Sequence, residues 1–194
     1  MRVTDARELV ARVAYWGPSG SGKTETLKAL HGKLPSSSLE REGDPLGEYL
    51  AVDLGQIAGY EVSADVVEIA ASAPVGPKIL RLKGADAVVF VADSRRTHAD
   101  ANAESLAEVF RLLGPEGLAL DEVELVLQYN HCDSPDALPV EDLDRALNPW
   151  GALSFEAVAS RVVGVVEPFK TAMKLVLVRA QQLLPARKKR GQKG

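Results

Sequence analysis

Gly17-Pro18-Ser19-Gly20-Ser21-Gly22-Lys23-Thr24 fits the spacing G-x-x-x-x-G-K-[ST]. Each residue type there has a job in holding phosphate. Glycines let the backbone close around an anion, so that N–H groups converge at a helix N-terminus with its partial positive charge. Lys23 reaches the outer phosphates and is the candidate contact to charge developing in a transition state; the Thr24 hydroxyl is placed to hold Mg2+. Gly17, Ser19, Gly20, Ser21, Gly22, Lys23, Thr24 and the following Glu25 form the candidate phosphate site. The context supports it: Arg12 to Tyr15 reads as a short apolar strand, and Glu25 to Leu34 as a helix with Leu27, Ala29 and Leu30 inward. Strand, loop and helix in that order separate a phosphate loop from a Gly/Ser-rich turn.

A second constellation bears on the base. Asn130-x-x-Asp133 closes an apolar strand well downstream of the loop and matches the N-K-x-D box of guanine-nucleotide-binding proteins, with His131 in place of lysine. A carboxylate at Asp133 can accept from guanine N1–H and its exocyclic amine. Adenine offers neither donor, and a buried mismatch of this kind discriminates by about 10⁴ or more. Asn130 would tie the box to the phosphate loop, and the His131 imidazole would cover the base plane. Ser154-Phe155-Glu156-Ala157 supplies a third element, in which Ala157, flanked by Glu156 and Val158, offers a backbone N–H to guanine O6.

These residues need a scaffold. Tyr49 to Leu54, Ile57 to Val62, Val66 to Ala71, Ala87 to Ala92, Val123 to Gln128 and Leu153 to Val158 read as strand stretches, Ala87 to Ala92 being apolar enough for burial on both faces. Residues 1–10 read as a lead-in adding a short element to the edge. Ala99 to Leu113 is predicted helical from Leu106, Val109, Phe110 and Leu113, and Gly114-Pro115 ends it. Pro139 to Leu147 is a shorter helix. A long final one starts near Pro168, with Phe169, Met173, Val176, Ala180 and Leu183 on one face. Pro35 to Gly47 and Ser72 to Pro77 read as loops. Strands alternating with helices predict an α/β fold, a mostly parallel central sheet with helices on both faces, and ligands beyond the carboxyl ends of its strands.

With 194 residues, 46% hydrophobic and 26% charged, the chain suits one globular core, here 1–185. A net charge of −4 gives no global pointer to DNA. One cysteine, Cys132, excludes an internal disulfide framework and a cysteine-based zinc site. No apolar run reaches membrane-spanning length, so a cytoplasmic setting is expected. Residues 186–194 include the basic run Arg187 to Lys193, read as a solvated tail or a weak contact for an anionic surface.

Taken together, the chain resembles the Ras-like bacterial small GTPases of the MglA (gliding-motility) family. Besides the phosphate loop, the likeness is carried by Asp53-Leu54-Gly55, Leu82 to Ser94 (LKGADAVVFVADS), Gln128 to Asp133 (QYNHCD), Leu138 to Leu143 (LPVEDL) and Ser154 to Ala159 (SFEAVA). It runs from about Arg12 to Leu183. The resemblance implies a Ras-like P-loop fold, GTP/GDP with Mg2+ as cofactors, a role in bacterial polarity or motility, polar or membrane-peripheral placement, and a roadblock/LC7-type (MglB-like) partner.

One departure bears on activity. Family members follow their third strand with a T-V-P-G-Q type segment whose glycine senses the γ-phosphate and whose glutamine orients the attacking water. This chain has Glu68-Ile69-Ala70-Ala71-Ser72-Ala73-Pro74 there, and residues 60–80 contain no glutamine. Weak or absent intrinsic hydrolysis is therefore expected, in a nucleotide-state switch or adaptor. The alternatives are a catalytically inactive scaffold for a roadblock-type partner and a P-loop kinase or ATPase using Asp93. Asp44-Pro45-Leu46-Gly47 and Asp53-Leu54-Gly55-Gln56 are possible stand-ins for the missing segment, read more simply as turns. Ser36, Ser37 and Ser38 are possible hydroxyls for Mg2+.

Overall fold

The structure is a computed structural model describing residues 2–3, 8–34, 36–40, 47–57, 59–114 and 123–183. Its strands are β1 (Arg2–Val3), β2 (Glu8–Trp16), β3 (Ser37–Glu40), β4 (Tyr49–Ile57), β5 (Tyr60–Glu68), β6 (Ala87–Asp93), β7 (Glu124–Asn130) and β8 (Leu153–Glu156). Its helices are α1 (Lys23–Lys33), α2 (Val75–Leu82), α3 (Ala99–Leu113), α4 (Val140–Leu147) and α5 (Val166–Leu183). All eight strands form one sheet in the order β3-β4-β5-β2-β6-β7-β8, with β1 paired to β2. The β5, β2, β6, β7 and β8 segment is parallel; β3, β4 and β1 pair antiparallel.

The two-residue period of a strand divides the core. Val13, Tyr15, Val89 and Val91 face one way and pack with Leu27 and Leu30 of α1 and with Phe169, Ala172, Met173, Val176 and Ala180 of α5. Ala14, Trp16, Val88 and Phe90 face the other, against Leu82 of α2, Leu106, Val109 and Leu113 of α3, and Leu143 and Leu147 of α4. Every residue of β6 is buried, as an unbroken apolar run requires. The Ras-like layering expected from the sequence is thus the observed one.

Local differences have local causes. Ile57 to Val62 and Val66 to Ala71 are not two strands: Ile57 ends β4, and Tyr60 to Glu68 is one strand paired with β4 over its length. The loop at Ser72 to Pro77 is shorter than expected, because α2 starts at Val75 with Pro77 in its first turn, where the missing N–H costs nothing. Pro168 lies likewise in the first turn of α5. Part of Pro35 to Gly47 is strand β3, too short and polar to show periodicity. Asp44 to Leu46 and the tail 186–194 lie outside the described residues.

Candidate functional site

The carboxyl ends of β2, β5, β6 and β7 converge on the Gly17–Thr24 loop. Lys23 opens α1, and its ammonium donates to the Gly17 and Pro18 carbonyls at 2.9 and 2.8 Å, stapling the loop. Burial lowers its pKa to about 8; Glu68 opposes that shift, Lys78 adds to it, and Glu25 opposes it. Close packing demands the two flanking glycines. A Cβ on Gly17 would lie 2.1 Å from the Val91 carbonyl oxygen, and one on Gly22 (φ +91°) 2.1 Å from Asn130 Nδ2. Ser19 and Gly20 are exposed, whereas the Ser21 hydroxyl is buried without a protein partner. A glycine-walled cradle with an orphaned hydroxyl and a buried ammonium fits phosphate.

Glu68, at the end of β5, was not legible as a site residue. Its Oε1 accepts from the Thr24 hydroxyl at 2.9 Å, and its Oε2 from the Glu48 N–H at 3.3 Å. Thr24 and Glu68 are the oxygen donors at this end of the cradle and would hold Mg2+, which takes one or two carboxylates and completes its shell with phosphate and water. The only sequence signal was an acidic residue ending a strand, which acquires meaning once β5 is known to lie beside β2.

Asn130 is 1% exposed and joins both halves of the site. Its Nδ2 donates to the Ser21 carbonyl at 2.8 Å, and its Oδ1 accepts from the Ala159 N–H at 2.9 Å. His131 follows in the left-handed region (φ +63°), which turns the chain so that its Nε2 lies 3.2 Å from the Gly20 carbonyl oxygen. Asp133 is paired at 3.2 Å with Arg161 of a short 3-10 turn (Ala159–Arg161). In the structure both Asn130 and His131 reach the phosphate loop, at the Ser21 and Gly20 carbonyls.

Sequence and structure disagree on Ala157. Its N–H donates to the Tyr129 carbonyl at 2.7 Å, continuing the pairing of β7 with β8, and is committed to the sheet. The Val158 N–H is likewise taken, by the Val163 carbonyl at 3.0 Å. Glu156 is exposed. The backbone donor that meets the Asn130 side chain is Ala159's, two residues further on.

The remaining stand-ins fall away for positional reasons. Gln56 pairs with Glu61, which pairs with Glu8 at the start of β2, so it occupies the end of the sheet opposite the cradle. The Ser37 hydroxyl donates to the Leu34 carbonyl at 2.6 Å, beyond the far end of α1 from Thr24. Asp93 is fully buried and engaged by Arg95, whose Nε donates at 2.9 Å, while Asn102 holds the Asp93 backbone. Burial would raise the Asp93 carboxyl, but the hydrogen bonds from Arg95 outweigh it and hold the group below its usual range. Its partners leave it no free role as a metal ligand of a kinase or ATPase. Among the described residues, no cluster of three or more His, Cys, Asp and Glu could hold a metal, and no helix is long and apolar enough to cross a membrane.

A mostly parallel sheet with this cradle after its second strand, clamped by an asparagine from the end of β7, defines a Ras-like P-loop protein. No protein-family model matches the chain. It is 35% identical, over 181 residues, to the mutual gliding-motility protein MglA of Myxococcus xanthus, covering 89% of this chain and 93% of that one. The chain belongs to the MglA family of gliding-motility small GTPases.

Proposed function

We propose that the chain binds GTP and GDP with Mg2+, hydrolyses GTP slowly or not at all unaided, and acts as a nucleotide-state switch in cell polarity or motility. The observation that carries this is the pair of hydrogen bonds made by the Asn130 carboxamide, donating to the Ser21 carbonyl and accepting from the Ala159 N–H, which ties the segment after β7 to the phosphate cradle at the carboxyl end of the sheet. In this reading the backbone of Gly17 to Thr24 and Lys23 hold the phosphates, Asp133 selects guanine, and His131 borders the base. Mg2+ held by Thr24 and Glu68 would neutralise phosphate charge.

Slow hydrolysis follows from what lies beyond β5. Glu68 is followed by Ile69, Ala70 and Ala71, and the glutamine that the family places after this strand has no counterpart from there to Val75. Phosphoryl transfer depends on positioning and charge neutralisation, so the missing group must come from a partner if turnover is to be fast. A roadblock-type, MglB-like protein is the partner the family suggests. Helix α2 exposes Val75 and Leu80 beside the site as an apolar contact for it.

The experiment is nucleotide release and identification from purified protein, calorimetry with GTP, GDP and ATP, and single-turnover hydrolysis with Mg2+. Guanine preference with very slow turnover is expected. ATP held as firmly as GTP overturns the base assignment, and turnover comparable to an activated GTPase overturns the slow-hydrolysis reading.

A further inference from the structure

Reading guanine takes both oxygens of the Asp133 carboxylate, one for N1–H and one for the exocyclic amine. The backbone around Asp133 is set. His131 turns the chain, the Ser134 N–H donates to the His131 carbonyl at 3.0 Å, and the Cys132 N–H to the Ala157 carbonyl at 3.4 Å. The carboxylate is a different matter, because it rotates about a terminal torsion with only a broad, two-fold preference, and a third of it faces solvent. A second group has to fix it. Arg161 Nη2 lies 3.2 Å from Asp133 Oδ2.

Arg161 does not arrive there as a wandering surface side chain. It stands in a tight hairpin that is tied to the phosphate loop: the Ala159 N–H donates to Asn130 Oδ1, and Asn130 Nδ2 donates to the Ser21 carbonyl. Val158 and Val163 exchange N–H to carbonyl bonds at 3.0 and 3.2 Å, and the Arg161 N–H donates to the Val158 carbonyl at 2.9 Å. Ala159 and Val165 pack against Ala29 of α1. Val162, directly after Arg161, has φ +59°, a left-handed backbone that a β-branched residue keeps only where its surroundings impose it. Gly164 lets the hairpin close, since a Cβ there would lie 2.0 Å from the Glu156 carbonyl oxygen. A turn that holds valine in this conformation has a fixed shape, and that shape aims Arg161 at Asp133.

We infer that Arg161 is a positioning residue for base selection: its guanidinium holds Asp133 Oδ2 so that both carboxylate oxygens face the two donors of guanine together. Oδ2 has two lone pairs and accepts from Arg161 and from the base at once. The planar guanidinium restricts rotation of the carboxylate in a way that a compact ammonium does not. With the Arg161 side chain 69% exposed, the ion pair adds little to stability, and its effect lies in orientation. Orientation has its own signature. A positive charge near the site favours every nucleoside diphosphate alike, whereas an oriented carboxylate favours the base that offers two donors over one that offers a single donor.

The inference rests on the guanine-nucleotide reading, and the test separates the two. Full-length protein with Mg2+ is titrated calorimetrically with GDP and with inosine diphosphate, which keeps N1–H and lacks the exocyclic amine. Wild type is expected to prefer GDP. Arg161→Ala is expected to lower the GDP-to-inosine-diphosphate affinity ratio by about threefold, the scale of an exposed charge-assisted contact. In an Asp133→Ala background the same substitution is expected to leave the ratio unchanged. A ratio that stays at the wild-type value in Arg161→Ala, or rises, overturns the inference alone, as does a further fall in the Asp133→Ala background. Wild-type protein that holds neither nucleotide, or holds both equally, overturns the guanine-nucleotide reading and this inference with it. Should Arg161→Ala fail to fold by circular dichroism, Arg161→Gln, which keeps the stem and loses the charge, is read in the same way.

Discussion

Replacing Asn130 by alanine removes one side chain and orphans two backbone groups, the Ser21 carbonyl and the Ala159 N–H. Both bonds are buried, and Asn130 is sealed from solvent. Each buried group left unpaired costs about 1–3 kcal/mol, so Asn130→Ala is expected to destabilise the nucleotide-free protein by about 2–5 kcal/mol. At roughly 2–4 °C per kcal/mol for a chain of this size, the melting temperature falls by about 4–20 °C. Urea unfolding followed by circular dichroism measures this, with Lys28→Ala, exposed on α1, as a control expected within about 0.5 kcal/mol of wild type. A loss below about 1 kcal/mol would refute the reasoning, because the clamp would then be replaceable by water.

Gly22→Ala forces a left-handed φ on alanine and drives its Cβ into Asn130 Nδ2, so it should destabilise by about 2 kcal/mol or more. Combined with Asn130→Ala the cost should be less than additive, since the obstructing amide is gone; strict additivity by urea unfolding counts against the contact. Nucleotide affinity should fall as pH rises. Burial has lowered Lys23 from 10.5 to about 8, so its ammonium is charged at pH 7 and is lost as pH climbs through 8, while bound phosphate restores the charged form. The dissociation constant for GDP should therefore rise up to about tenfold per pH unit above 8, and Lys23→Arg, which stays charged, should show a flat profile over pH 7–9.

Legibility in the sequence followed the range of the signal. The phosphate loop was visible because its chemistry is written in eight consecutive residues, and α3 because Leu106, Val109 and Phe110 repeat with the helical period. β3 and α2 were not: Ser37 to Glu40 carries one large apolar side chain, and the prolines around Val75 look like a loop until the chain is seen turning into a helix at that point. The role of Glu68 was hidden for a different reason. Its partner Thr24 lies 44 residues away, and only the register of β5 on β2 brings them together. The Ala157 N–H is committed to the sheet instead, because spacing along the chain does not say where β8 stops pairing with β7.

The Asn130 clamp also sets an order of events. The phosphate loop precedes its bracing amide by more than a hundred residues, and the turn that orients that amide comes later still, at Ala159. A growing chain thus owns the parts of its nucleotide cradle long before it owns the lock. Until that second segment has packed against the loop, the cradle lacks the amide that braces the Ser21 carbonyl.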